Sequence, residues 1–459
     1  MFRITEISEL FTQLKETLDS QVYSNQLTLD GSVQQVREVT DHIARSFIED
    51  YLEGLDEVLR ESNERKRHYT IEKRSQEKTV ATNVGPVTYQ RTYFQHKRDG
   101  HYACLLDEKM GIEPHQRVSL ELAVSMLESA RDTSYQKTAE RFAYTGVQSR
   151  TTVMNCVHHM GMIESSEHPI PTRKVMPVLY VEADEDHVAM QDNTNQQMKL
   201  IYVHEGYQPV GKKRNALINP HYFTGLYSKS SDELWYEVLT YLDTAYDLDQ
   251  VEEINLSGDG ASWIKMGKDI LPKCRFHLDK YHLQKAMRKA TSPVDELKGT
   301  EDEYYWHLSD AIELDEKETV EAYFESTIGL GLRESQIKAI GESQTYILSN
   351  WEAIQNSYRP GYPGCSAEGH ISHVLSDRLS SRPLGWSRQG AEDIARLRVF
   401  ALNSGNLRDY YTEKSRRKQK ESRMVKLEKR LLKNKKLPYQ IKQGTINYVT
   451  RHFDWYKSL

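Results

Sequence analysis

The stretch that decides the fold is VLYVEADEDHVAMQ (178–191), followed by MKLIYVHEGY (198–207) and HYFTGLYS (221–228). These runs are β-branched and aromatic, with polar residues or turns between them, and read as three successive strands. SDELWYEVLTYLDTAY (231–246) reads as a helix with a Ser/Asp start. VEEINLSGD (251–259) is a fourth strand, ASWIKMGKDIL (261–271) a short helix, KCRFHLD (273–279) a short fifth strand, and DKYHLQKAMRKAT (279–291) a helix again.

Three strands, a helix, a strand, a helix and a strand is the element order expected of an RNase H-like α/β core, although the pattern alone leaves other α/β folds open. Asp184 stands in the first strand and Asp259 ends the fourth, and strand ends carry carboxylates to the edge of a sheet where ligands reach them. Glu368 opens a helix, SAEGHISHVLSDRLS (366–380), after the break RPGYPG (359–364), with Ser366 as its expected cap. Three such carboxylates can hold two divalent cations about 4 Å apart, and hard oxygen ligands favour Mg²⁺ or Mn²⁺ over zinc. Asp186 rivals Asp184, because residues two apart on a strand share a face. Asp279 and His282 fall at i and i+3 on one helix face, where His282 could orient the site or donate to a phosphate. Glu368, His370 and His373 lack the spacing of a helical zinc motif, and GDGASWIKMGKD (258–269) fails as a phosphate loop.

Working outward, residues 1–76 read as helical, with Val36, Val39, Ile43, Phe47, Tyr51, Leu55 and Leu59 at helical spacing. A helical N-terminal region is therefore expected over 1–80. A small β-rich segment follows over 81–112, with turns at Gly85-Pro86 and Asp99-Gly100 and an alternating run from Val87 to Phe94. Over 113–165 three short helices, the second stopped by Gly146, resemble a helix-turn-helix whose last helix would present Arg150, Thr151 and Asn155 to DNA. The core then occupies 172–290, a helical insertion 291–360, the Glu-bearing part of the core 361–405, and a basic tail 406–459. From Arg408 to Lys442 fourteen Lys/Arg face four Asp/Glu, against a net charge of −6 for the 459-residue chain. Arg416, Arg417 and Lys418 in that run are expected to meet phosphates.

A hydrophobic fraction of 38% and a charged fraction of 28% fit a globular protein with much polar surface. No run approaches the roughly 18 apolar residues of a membrane span. The start, MFRITEISELFTQLKE (1–16), has no apolar leader region. The four cysteines, Cys104, Cys156, Cys274 and Cys365, are far apart, so a disulfide framework is not expected and a reducing cytoplasm is.

LYVEADEDHV (179–188), INLSGDGASWI (254–264), FHLDKYHLQKA (276–286) and CSAEGHISHVLSDRLSSRPLGW (365–386) resemble the bacterial insertion-sequence transposases of the ISLre group, distant kin of Mutator-like elements. The resemblance spans essentially the whole chain. It implies a DDE transposase with an RNase H-like core, a mostly helical N-terminal region and a helical insertion before the catalytic Glu. It assigns the acidic positions to Asp184, Asp259 and Glu368, with a D-x-x-H element at Asp279 and His282. It further implies two Mg²⁺ or Mn²⁺ ions, double-stranded DNA as partner (element terminal repeats and target), a homo-oligomer, and a cytoplasmic, nucleoid-associated location. A metal-dependent nuclease without strand transfer, and a DNA-binding regulator with an inactive core, are the two alternatives.

Overall fold

The computed structural model describes residues 4–24, 28–211, 214–227, 230–381 and 385–433. The chain forms two compact units, Met1–Ser129, Ser134–Val153 and Asn406–Leu459 in the first, Ala130–Thr133 and Met154–Gly405 in the second.

The first unit opens with α1 (Ile4–Tyr23), α2 (Leu29–Glu61) and α3 (Asn63–His68). Thr28 caps α2 by accepting from the Gly31 N–H, and Ser62 caps α3 by accepting from Arg65. A three-stranded antiparallel sheet follows: β1 (Tyr69–Thr82), β2 (Gly85–His96) and β3 (Tyr102–Ala103). Leu52 of α2 packs on Val80, Val87, Tyr89 and Leu106, the last from α4 (Leu105–Met110). The buried Asp56 carboxylate accepts from the Thr92 N–H (3.1 Å) and hydroxyl (2.7 Å), fixing helix to sheet. The helical reading to residue 76 is corrected here. TIEKRSQEK looks helical by composition, but from Tyr69 it is a strand, because its backbone pairs along β2 from Tyr69↔His96 to Thr82↔Gly85. Two register shifts in that ladder, at Ile71/Lys73 and Lys73/Gln76, erase the two-residue alternation that would have marked it.

Three helices come next: α5 (Leu120–Asp132), α6 (Tyr135–Arg141) and α7 (Arg150–Met160). Ser134 caps α6, Gly146 turns the chain at φ +89, and the Ser149 hydroxyl accepts from the Thr152 N–H at the start of α7. The division between the units falls inside α5 and α7, so this bundle is not a domain of its own.

The second unit is built on a five-stranded sheet in the order β10-β9-β4-β5-β8: β4 (Val178–Ala189), β5 (Asn195–His204), β8 (His221–Gly225), β9 (Glu253–Gly258) and β10 (Cys274–Leu278). β4, β9 and β10 run parallel, while β5 is antiparallel to both β4 and β8. A separate hairpin, β6 (Tyr207–Gly211) and β7 (Arg214–Leu217), interrupts the β5-to-β8 connection and was not anticipated. The connecting helices are α8 (Asp232–Ala245), α9 (Ser262–Ile270) and α10 (Lys280–Lys298). Alternate residues of β4, Leu179, Val181 and Ala183, pack against Trp235 of α8, Ile264 of α9 and Met287 of α10. The same core continues through α11 (Glu303–Glu313), α12 (Lys317–Ser326), α13 (Glu334–Ser349) and α14 (Trp351–Ser357), which contribute Ile312, Phe324, Ile347 and Ile354. The segment read as a helical insertion is thus helical and shares the core of the sheet.

Against the other face of the sheet lies a helix in three pieces: α15 (Ala367–Ile371), a π-helical turn at Ser372–Ser376, and α16 (Asp377–Leu379). α17 (Arg388–Leu402) follows. The last helix, α18 (Leu407–Lys433), belongs to the first unit, where Arg408 pairs with Glu121 and Lys418 with Glu113. Residues 434–442 of the basic run lie outside the described residues. No helix among the described residues is long and apolar enough to cross a membrane.

Candidate functional site

The parallel register of β4, β9 and β10 brings their carboxyl ends together. Glu182 is level with Ser257, and Leu278 with Gly258. The next residues on β9 and β10 are Asp259 and Asp279, and the Asp279 N–H donates to the Gly258 carbonyl (2.9 Å). β4 runs on past that line, carrying Asp184. A side chain at Gly258 would meet the Ala183 carbonyl at 2.8 Å, so the tight β4–β9 approach requires glycine there. Gly260, at φ +88, lets the chain turn sharply after Asp259.

Strand alternation sets the direction of each β4 carboxylate. Glu182, Asp184 and Asp186 face α15 to α17, whereas Glu185 points the other way and accepts from the Trp263 indole N–H. The three same-face acids have different partners. Asp184 joins Glu368 and His282, and these three bring one ligand atom each to within 4.8 Å of one another. Asp186 is buried and accepts from the Ser380 hydroxyl (2.8 Å), so it lies with α16 rather than with Glu368.

Glu182 was missed by the sequence reading. It is buried and accepts from Tyr202 Oη (2.6 Å), Tyr207 Oη and the Ser366 backbone N–H (2.6 Å), with His204 Nε2 at 3.0 Å. Burial pushes its carboxyl upward, but the hydrogen bond and charge of His204 and the hydrogen bonds from Tyr202 and Tyr207 outweigh this and hold it at about 2. The Ser366 hydroxyl is also bound to Glu182 and Tyr202. Ser366 therefore sits at the start of α15 without capping it, contrary to expectation, because its side chain is spent on Glu182. The result is a tie between β4 and the residue two before Glu368. The only sequence signal for it was the alternation Glu182-x-Asp184-x-Asp186.

Electrostatics mark the cluster as strained. Burial first, and then the charges of Asp259 and Glu368, raise the Asp184 carboxyl to about 7, against the Glu185 N–H that it accepts at 2.8 Å. Asp259 acts on Asp184 through this field but is not one of the three converging ligands. Its Oδ1 accepts from the Ala261 N–H (2.8 Å), which turns it toward its own loop. Asp279 caps α10 by accepting from the Tyr281 N–H (3.0 Å), and burial raises its carboxyl. His282, one turn into α10, has its Nε2 buried without a hydrogen-bond partner among the described residues. That orphaned nitrogen beside two carboxylates fits a divalent cation, with Asp184, Glu368 and His282 as holders and Asp259 adjacent. His370 instead stacks near Tyr202 and His373 pairs loosely with Asp377, so neither joins Glu368 in a zinc set.

The residues read as DNA contacts are on the surface. Arg150, Thr151 and Asn155 are exposed on α7, and Arg416, Arg417 and Lys418 are exposed on α18, where Arg417 pairs with Glu413 and Lys418 with Glu113.

Fold and site together define a mixed α/β protein with a carboxylate–imidazole cluster at the ends of parallel strands. The chain belongs to the uncharacterised protein family UPF0236, whose model matches residues 22–417. It is similar to a UPF0236 protein of Caldanaerobacter subterraneus subsp. tengcongensis, 38% identical over 400 residues, covering 87% of this chain and 83% of the relative. A second UPF0236 protein of the same organism is 37% identical with the same coverage. The name of the first strings together eleven loci of one genome and that of the second four.

Proposed function

We propose that this protein is a DDE transposase that cuts and joins the DNA ends of an insertion sequence. The observation that carries the reading is the convergence of Asp184, Glu368 and His282 at the ends of parallel strands, with Asp259 beside them. The strand and helix order of the second unit supports an RNase H-like core. The many loci sharing one relative's name are what copies of a mobile element would leave behind in a genome.

Asp184, Glu368 and Asp259 would hold Mg²⁺ or Mn²⁺, with His282 as a further ligand or as the group that holds a proton at Nε2. When bound, the metal pair supplies activation of a water or 3′-hydroxyl and stabilises the leaving oxygen. With its carboxyl raised to about 7, Asp184 shares a proton with solvent around neutrality in the metal-free site, and as a ligand it would be needed as the carboxylate. Glu182 holds Ser366, and through it the start of α15, so that Glu368 stays opposite Asp184. Double-stranded DNA, both element ends and target, is the partner. Its phosphates fall to the exposed cations of α7 and α18, and a homo-oligomer brings two ends together.

Asp259→Asn tests the reading, because it keeps the side-chain shape and removes the charge. Purified protein with Mg²⁺ or Mn²⁺ nicks and joins labelled DNA carrying the terminal repeats found beside its gene. The variant binds the same DNA and loses nicking by orders of magnitude. Cleavage of any DNA without joining would replace the reading by a nuclease, and binding without nicking under either metal would replace it by a regulator.

A further inference from the structure

A second cluster lies in the first unit, at the tip of the hairpin joining β2 to β3. The His96 N–H donates to the His101 carbonyl (2.9 Å) and the Gly100 N–H to the His96 carbonyl (2.9 Å), closing the turn with Gly100 at φ +67. This sets the two histidines opposite each other, one step beyond the Gln95↔Tyr102 pair. Their rings are stacked with centroids 4.9 Å apart. Asp99, between them in the turn, places Oδ1 at 2.6 Å from the Nδ1 of each. Tyr69 of β1 backs the cluster edge-on, 5.0 Å from the His96 ring and 6.0 Å from that of His101.

We propose that His96, Asp99 and His101 form a binding site for a divalent transition metal, best suited to Zn²⁺. Two imidazoles and a carboxylate are the donor set of open zinc sites, which leave a coordination position for water or another ligand. The three donor atoms lie within 4.8 Å of one another, and the backbone of a closed hairpin, not a loose loop, fixes the histidines. Asp99 and His101 are about half exposed, so an ion enters from solvent. In tetrahedral zinc coordination neighbouring ligand atoms stand about 3.3 Å apart. The cluster therefore opens by about 0.7 Å from its hydrogen-bonded spacing, which small side-chain rotations supply. The hard Mg²⁺ ion is a poor match for two imidazoles, which sets this site apart from the one proposed at Asp184.

The test is titration of the full-length protein with Zn²⁺ by calorimetry, in excess Mg²⁺, with thermal melts alongside. The parent binds a Zn²⁺ ion that raises its melting temperature. His96→Ala and His101→Ala weaken that binding by at least roughly tenfold, and Asp99→Asn weakens it too. Asp184→Asn retains it, which separates it from any zinc held by the other cluster. Metal-free melts show whether each variant is folded, and His101→Asn, at a half-exposed turn position, serves if an alanine variant is not. Titrations that are the same in parent and folded histidine variants overturn the proposal, as does zinc binding that disappears with Asp184→Asn alone.

Discussion

Asp184→Asn in the metal-free protein gives the sharpest reading of the cluster's electrostatics. The asparagine keeps the oxygen that accepts from the Glu185 N–H and removes the charge facing Asp259 and Glu368. In the parent, Asp184 has an ordinary value of 3.8 when unfolded and about 7 when folded. Between those values the folded state carries a proton that the unfolded state has lost, so stability falls as pH rises. The contribution of Asp184 is fully present below 3.8 and gone above about 7. A carboxyl displaced that far corresponds to about 4 kcal/mol, and solvent screening at a half-buried site cuts this to about 2 kcal/mol. In chelator, the variant should therefore gain on the parent steadily from pH 4 to pH 7 and then hold a constant lead, roughly 4–8 °C in melting temperature for a unit of this size. Mn²⁺ should then stabilise the parent more than the variant. A variant no more stable than the parent at pH 8 refutes the strained carboxylate cluster. A lead already complete at pH 4 would mean packing, not charge.

Glu182→Gln cannot accept from Tyr202, Tyr207 and Ser366 while also meeting His204, so it loosens α15. We expect a roughly 10–100-fold loss of end nicking with DNA binding unchanged, and partial recovery at high Mn²⁺; unchanged nicking would make the Glu182 network merely structural. Replacing Arg416, Arg417 and Lys418 together by Ala should flatten the salt dependence of DNA binding, because each lost phosphate contact releases fewer counterions; an unchanged slope returns α18 to a solvated helix. His282→Asn should remove the orphaned nitrogen and lower the affinity of the cluster for Mn²⁺ more than for Mg²⁺, measured by calorimetry; equal losses would deny His282 a place as ligand.

The strands that carry the site were legible because their apolar runs end in acids: VLYVEAD, INLSGD and FHLD each announce a strand and its carboxylate. What the sequence hid was set by distant partners. Asp184 and Asp186 share a face, and local pattern cannot separate them; the separation comes from Glu368 and Ser380, which reach the two positions from one helix some 190 residues later. β1 was hidden because its bulges break the alternation and its Glu, Lys and Gln residues favour helix. Glu182 escaped notice because its partners are distant too. A buried glutamate is tolerable only with several donors, and its donors come from β5, from the first residue of the unanticipated β6, and from the turn before α15. The nearest of them, Tyr202, is 20 residues away in sequence. Yet that network holds the residue two before Glu368. α15 is five residues long and is followed at once by a π-helical turn, so it has little regularity of its own to fix where its first turn points. The Glu182–Ser366 tie supplies what the helix lacks. A loss of nicking in Glu182→Gln would therefore measure how far a buried acid outside the proposed metal set governs the position of Glu368 within it.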